Sequence, residues 1–333
     1  MSNYTITIVG TGLIGTSLGL ALKQSDPAFR LVGHDKDFGR ANAAAKLGAF
    51  DRVEWNLINA CDQADLIVLA IPLSGIRPTL TAIAADLKPG VIIIDTCPTK
   101  TPVLNWVKEI VPPHAHYIGV DPLVRPTGSG LEHASASLFR GRLFCLTPSP
   151  QTDEQAVQLI VGLVNRLGGE PFFLDAAEHD GLSTATEHLP ALLSLALVQT
   201  LAGQPSWREI RKLAGHRFEQ VSAGAAGDPD SLRDGFLENK AVLLHWLDRC
   251  LANLNHLRAQ IAAGSDADER LVQAIDEAVV ARTNWLTDYQ KSDFTDPELR
   301  STQPETPGFL RQMVGFGAWR RRDQDKEERR KKK

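Results

Sequence analysis

Along the first half of the chain, short runs of β-branched and aliphatic residues recur at Thr5–Val9, Leu31–His34, Leu66–Ala70, Val91–Asp95, His116–Val120 and Leu143–Leu146, separated by stretches with helical spacing. The runs are apolar at nearly every position rather than at alternate ones. That is the pattern of strands covered by helices on both faces of a parallel sheet. A helix over Asp153–Leu167 and a strand over Pro171–Leu174 carry this half to about residue 175. The pattern predicts an α/β fold with a doubly wound, mostly parallel sheet.

From Ala177 the period changes to 3.6, and strand candidates vanish. Helices are predicted over Ala191–Leu201, Trp207–Leu213, Ser231–Ala262 and Ala267–Tyr289, with Asp230 or Ser231 capping the third. Within that helix Leu232, Phe236, Leu243, Trp246, Leu251 and Leu254 form an apolar stripe wider than one flanking contact requires, which suits a core plus a dimer interface, or a core alone. The expected organisation is a first domain over 1–175, an all-helical domain over 176–300, and an extended segment over 301–333.

The composition narrows the class. Thirty-six basic and 40 acidic side chains among 333 residues give a net charge of −4, which excludes a general polyanion grip. Residues 320–333 hold nine basic and four acidic side chains, and this charged, apolar-poor end reads as a solvated tail. Cys61, Cys97, Cys145 and Cys250 are far apart and form no C-x-x-C pair, so a reducing compartment is expected. The chain passes from Met1 directly into a strand pattern without an export signal, and no apolar run approaches the roughly 20 residues of a membrane span. A cytoplasmic protein without membrane or nucleic-acid partners is expected. No Cys/His spacing predicts a metal site, and no phosphate-binding G-x-x-x-x-G-K or nucleophile elbow is present. The scattered tryptophans read mostly as packing residues.

The strongest chemical signal is Gly10-Thr11-Gly12-Leu13-Ile14-Gly15, between the first strand and a helix over Leu13–Lys23. In such a fingerprint the first glycine permits a tight turn, the second lets backbone N–H groups approach a pyrophosphate, and the third allows helix and strand to pack closely. Asp35 ends the second strand, 20 residues past Gly15. A carboxylate there accepts hydrogen bonds from ribose hydroxyls and repels a 2′-phosphate, so NAD is favoured, and adjacent Lys36 keeps NADP open. Ile71 and Pro72, after the third strand run, are expected to line the same Rossmann-type cleft.

Gly12-Leu-Ile-Gly-Thr-Ser-Leu-Gly-Leu-Ala-Leu22, Leu69-Ala-Ile-Pro-Leu73, Asp95-Thr-Cys-Pro-Thr-Lys100, Ile118-Gly-Val-Asp-Pro-Leu123, Leu138-Phe139 with Leu146-Thr-Pro148, Glu178-His-Asp180 and His188-Leu-Pro190 together resemble the prephenate and arogenate dehydrogenase family, over about residues 5–260. The resemblance implies a dinucleotide-binding domain, a helical dimerisation domain making a homodimer, and an active site between them. It also implies oxidative decarboxylation of a cyclohexadienyl acid, a step of tyrosine biosynthesis. In that reaction hydride leaves the ring carbon bearing the 4-hydroxyl, a base takes the hydroxyl proton, and loss of carbon dioxide aromatises the ring.

Three family positions are altered. The family's catalytic histidine aligns with Asp121, its serine toward the substrate hydroxyl with Pro98, and its carboxylate-binding arginine with Ala223. An ordinary aspartate has a pKa near 4 and is a poor acceptor for a hydroxyl proton, whereas an imidazole suits neutral pH. His188 is therefore the candidate base, with Asp121 expected to orient it as a carboxylate–imidazole pair. The plainer alternative has Asp121 capping a turn and His188 bonded between the domains. Arg125, four residues past Asp121, and Arg217 are candidates to bind a substrate carboxylate, and a salt bridge from Arg125 to Asp121 competes with that role. His179 and Asp180 read as the start of a helix beneath the nicotinamide. Lys100 reads as a helix-start residue, either packed, solvated or touching cofactor. The departures leave two other readings open: a dinucleotide-binding dimer without turnover, and a dehydrogenase of another small carboxylic acid.

Overall fold

The computed structural model describes residues 4–124, 128, 130–227 and 229–291, so Arg125, Trp319 and the 301–333 segment lie outside the described residues. Eight strands form one sheet: β1 (Thr5–Val9), β2 (Arg30–His34), β3 (Arg52–Val53), β4 (Leu66–Leu69), β5 (Ile92–Asp95), β6 (His116–Pro122), β7 (Leu143–Pro148) and β8 (Glu170–Phe173). Their order is β3-β2-β1-β4-β5-β6-β7-β8. Every pairing is parallel except β6 with β7. The helices of this half are α1 (Leu13–Ser25), α2 (Phe38–Lys46), α3 (Leu57–Cys61), α4 (Leu73–Ile83), α5 (Thr101–Ile110) and α6 (Glu154–Arg166).

The doubly wound expectation holds, and β5 shows why its sequence is apolar at successive positions. Ile92 and Ile94 point to the face covered by Leu18 and Leu22 of α1 and Ile160 of α6. Ile93 points to the opposite face, beneath Ile76 and Leu80 of α4 and Val103 and Val107 of α5. With helices on both sides, Ile92 to Ile94 are apolar at successive positions, and the polar Asp95 at the strand end is buried only with partners of its own. Two-residue β3 was too short for the apolar pattern to register.

The second half consists of α7 (Ala176–Ser183), α8 (Leu189–Ala202), α9 (Trp207–Leu213), α10 (His216–Ser222), α11 (Pro229–Glu238), α12 (Lys240–Ala263) and α13 (Asp268–Lys291). A π-helical turn over Thr184–His188 joins α7 to α8. The single helix expected over Ser231–Ala262 is two, because Asn239 leaves helical geometry (φ −110°, ψ 27°) between α11 and α12. Since α11 already begins at Pro229, Asp230 and Ser231 lie in its first turn rather than at its cap. Trp55 and Trp285 are exposed, two exceptions to the expectation that the tryptophans are mostly packed. The exposed apolar side chains Leu251 and Leu254 on α12, with Ile275 and Val279 on α13, leave a hydrophobic face uncovered in the single chain.

Ile160 is buried to 1% exposure in the layer between α6 and the sheet. Ile160→Ala should cost about 2–5 kcal/mol of stability, read as a lower urea midpoint, while the affinity for dinucleotide stays unchanged.

Candidate active site

The strand order reverses between β1 and β4, so the loops that follow these two strands open a crevice at the carboxyl edge of the sheet. Gly10 follows β1 with φ +95°, and a Cβ there would lie 2.2 Å from the carbonyl oxygen of Ala70 in the loop after β4. A Cβ on Gly15 would lie 1.9 Å from the Gly10 carbonyl oxygen, so α1 can rest on the turn only without side chains at both places. Gly12 differs from both. A Cβ on it meets no protein atom within 4 Å, and the open space in front of it is a cleft of about 670 Å³.

That cleft is lined by Gly10, Gly12, Asp35, Lys36, Ile71 and Pro72, and by Asp230 and Ser231 from the helical half. Asp35 is fixed from behind. Its Oδ2 accepts the Thr11 N–H (2.8 Å) and hydroxyl (3.1 Å), and its Oδ1 accepts the Asp37 N–H (2.9 Å). Thr11 is thus a buried strut between the glycine turn and the acid. An open cradle before Gly12 at the N-terminus of α1, with a carboxylate at the far end, fits a pyrophosphate and a ribose. Arg40, overlooked in the sequence, shares this lining with Lys36.

A second cavity of about 290 Å³ continues the first, sharing Gly12, Ala70, Ile71, Pro72 and Ser231 with it. Leu13 and Ile14 line it from α1, the loop after β5 adds Thr96 to Thr99, and the far wall is His188 with Gly235 of α11. His188 ends the π-helical turn, the residue is 7% exposed, and its buried Nδ1 has no hydrogen-bond partner among the described residues. Burial pushes its pKa below the ordinary 6.5, against a weaker upward pull from Asp180, which favours the neutral imidazole.

Asp121 does not orient His188. Strand β6 runs on to Pro122, with Asp121 paired to Cys145 of β7, and this places the carboxylate against α7 instead. There Asp121 Oδ2 lies 3.1 Å from His179 Nε2, and His179 Nδ1 lies 3.3 Å from Asp180 Oδ1. An imidazole with a carboxylate at each nitrogen can donate to both only when doubly protonated. Burial opposes that charge, but the hydrogen bonds to Asp121 and Asp180 outweigh it, and the pKa is pushed up to about 11. His179 and Asp180 are thus not the first residues of their helix. The helix starts at Ala176, capped by Asp175, and the pair lies buried within it.

Asp180 also accepts the backbone N–H groups of Lys100 (2.6 Å) and Thr101 (2.8 Å), capping α5 from the other half of the molecule. Burial acts to raise its pKa, yet His179 and these N–H groups hold it below the usual carboxylate range. Lys100 has no exposure at all. Its Nζ pairs with Asp95 (2.6 Å) and donates to the Val120 carbonyl (3.0 Å). Burial works against the ammonium, and Asp95 foremost among the neighbouring charges more than restores it. Lys100 is thus a packed residue, neither solvated nor in the lining of either cavity. Tyr117 donates its hydroxyl to the other oxygen of Asp95, completing a network that the sequence did not reveal. Pro98 lies in the inner wall and accepts the Ser183 hydroxyl at its carbonyl (2.8 Å). Arg217 is exposed on α10 and is absent from the lining of both cavities.

Two outcomes follow from this geometry. Gly12→Ala should keep the stability of the parent and weaken NAD binding about tenfold or more by calorimetry, whereas Gly10→Ala should lower the melting temperature, since it combines a positive φ with a backbone clash. The protonated His179 contributes stability fully below its unfolded pKa near 6.5 and loses it progressively as pH rises toward 11. The gap in urea midpoint between the parent and His179→Gln should therefore be widest near pH 6 and shrink steadily toward pH 10.

Sequence profiles place this geometry among known proteins. The prephenate dehydrogenase nucleotide-binding domain matches residues 18–172, and the prephenate dehydrogenase dimerization domain matches residues 175–277. The chain is 30% identical over 286 residues to the cyclohexadienyl dehydrogenase of Zymomonas mobilis, across 85% of this chain and 97% of that protein. It is 28% identical over 259 residues to the prephenate dehydrogenase of Bacillus subtilis, across 77% of this chain and 70% of that protein. The crystal structure of Aquifex aeolicus prephenate dehydrogenase in complex with hydroxyphenyl propionate and NAD+ superimposes with a TM-score of 0.78 at 25% identity, over 85% of this chain and 99% of that one. With both halves matched in order, the chain belongs to the prephenate dehydrogenase family.

Proposed function

We propose that this chain is a working NAD-dependent dehydrogenase that oxidises and decarboxylates a 4-hydroxycyclohexadienyl acid of the prephenate or arogenate type, with His188 as the proton acceptor. The observation that carries the reading is the continuous space from Asp35 to His188, ending on an imidazole whose pKa burial pushes below its ordinary value. Gly10 to Gly15 and Asp35 would hold the dinucleotide, with Ile71 and Pro72 against its nicotinamide half. When bound, NAD supplies the hydride acceptor. His188 takes the 4-hydroxyl proton as hydride leaves, a role suited to an imidazole whose neutral form burial favours. Asp121, held by His179, is a support and not a base in this scheme. Asp35 repels a 2′-phosphate, while Lys36 and Arg40 beside it give the adenosine end a positive rim, so NADP is accepted, though more weakly than NAD.

No Lys or Arg lines the inner cavity among the described residues. The substrate carboxylates therefore need a cation from outside it, a role we assign to Arg217, whose helix packs on α8, with Arg125 as the second candidate. The uncovered face of α12 and α13 is read as the homodimer contact, in keeping with the matched dimerization domain.

Formation of NADH with prephenate, arogenate and related hydroxy acids tests the proposal. Turnover is expected with one of the cyclohexadienyl acids, and His188→Ala should lower kcat about 10²–10⁴-fold with KM for NAD unchanged. Saturable NAD binding with no turnover on any acid of the panel would instead favour a silent dinucleotide-binding dimer.

A further inference from the structure

We infer that Gly235 of α11 is a positioning residue for His188, a bare patch of helix backbone that sets how deep the imidazole sits in the inner cavity. The inference rests on the reading of His188 as proton acceptor. Glycine in a helix interior is unfavourable by about 1 kcal/mol relative to alanine, so a glycine retained midway along α11 calls for a reason. Gly235 is the buried residue of α11, and it lines the cavity together with His188. A Cβ at this position would lie 2.6 Å from His188 Nε2, 3.0 Å from Cδ2 and 3.2 Å from Cε1. The three atoms are the outer edge of the ring, so that edge rests on the helix where a side chain would otherwise stand. Phe236 meets the ring edge-on at 6.3 Å between centroids and limits sideways movement. The imidazole is therefore held against α11 by one nitrogen edge, with unpartnered Nδ1 on the other side.

A methyl group at 235 displaces the end of a side chain rather than backbone, so the helix can accommodate it while the ring moves. Titratable side chains on the elements around the ring are Asp180 on α7, Glu187 on its own turn, Asp234 on α11, Lys240 at the start of α12 and Cys97 in the facing loop. None of these is altered by the substitution. A ring pushed out of its slot gains solvent, and its pKa returns toward 6.5.

The test compares full-length Gly235→Ala, His188→Ala and the double variant, with Gly181→Ala as a control. Gly181 is a helical glycine whose added Cβ meets nothing within 4 Å. Gly235→Ala should lower kcat about ten- to hundredfold, as displacement of a reacting group by about an ångström does. KM for NAD should stay within about twofold, the acid limb of the kcat–pH profile should move to higher pH, and the double variant should be no slower than His188→Ala. Gly181→Ala should behave as the parent. The inference is overturned if Gly235→Ala keeps the parent kcat and pH profile while His188→Ala is impaired. It is equally overturned if Gly235→Ala slows the His188→Ala background further, or if it fails to fold or loses NAD affinity, since the contact is then structural only. Parent-like activity of His188→Ala would instead sink the assignment of the base and leave the cofactor cleft standing.

Discussion

One buried imidazolium holds the two halves of this molecule in register. His179 lies between Asp121 on the sheet and Asp180 on its own helix, and Asp180 in turn caps the first N–H groups of α5. Removing any one member strands a charge in a place that water cannot reach, which is the situation in which a buried ion pair matters most. The loop just ahead of α5 is the wall that Cys97, Pro98 and Thr99 give to the inner cavity, and α7 leads directly into the turn that ends on His188. The same few bonds therefore fix both walls of the candidate site.

This arrangement gives a physical account of the altered position at residue 121. A carboxylate there, tied to a cation, is a structural counter-ion, and it makes the β6 end a poor place for proton abstraction. The His188 imidazole across the cavity stands apart from that network, with its buried Nδ1 unpartnered among the described residues. Charge that stabilises the junction and the neutrality that suits a base thus occupy separate side chains, His179 and His188, nine residues apart on one helical segment.

Much of this was legible in the sequence, and what was not has definite causes. The strands and the glycine turn could be read because covering helices and a close backbone approach restrict which residues are tolerated, as at Ile92–Ile94 and at Gly10 and Gly15. Asp35 was readable from its distance along the chain. The partner of Asp121 was not, because His179 is 58 residues away and only the extension of β6 to Pro122 decides which histidine the carboxylate meets. Lys100 looked like any helix-start lysine, since nothing in the sequence announces that Asp95, Tyr117 and a strand carbonyl enclose it. The break at Asn239 was hidden because apolar residues keep a helical spacing on both sides of it, and the role of Gly235 needs the fold of both α11 and the turn before His188.

The π-helical turn over Thr184–His188 has its own consequence. A π turn accommodates one residue more than the α-helix around it, so the residues beyond it are offset by one position relative to an uninterrupted helix. The direction in which His188 faces is thus set by a count of residues and not only by its neighbours. A relative shorter by one position in this turn would present a different side chain to the cavity while keeping every flanking helix in place, so an insertion or deletion here can exchange the reacting group without disturbing the scaffold.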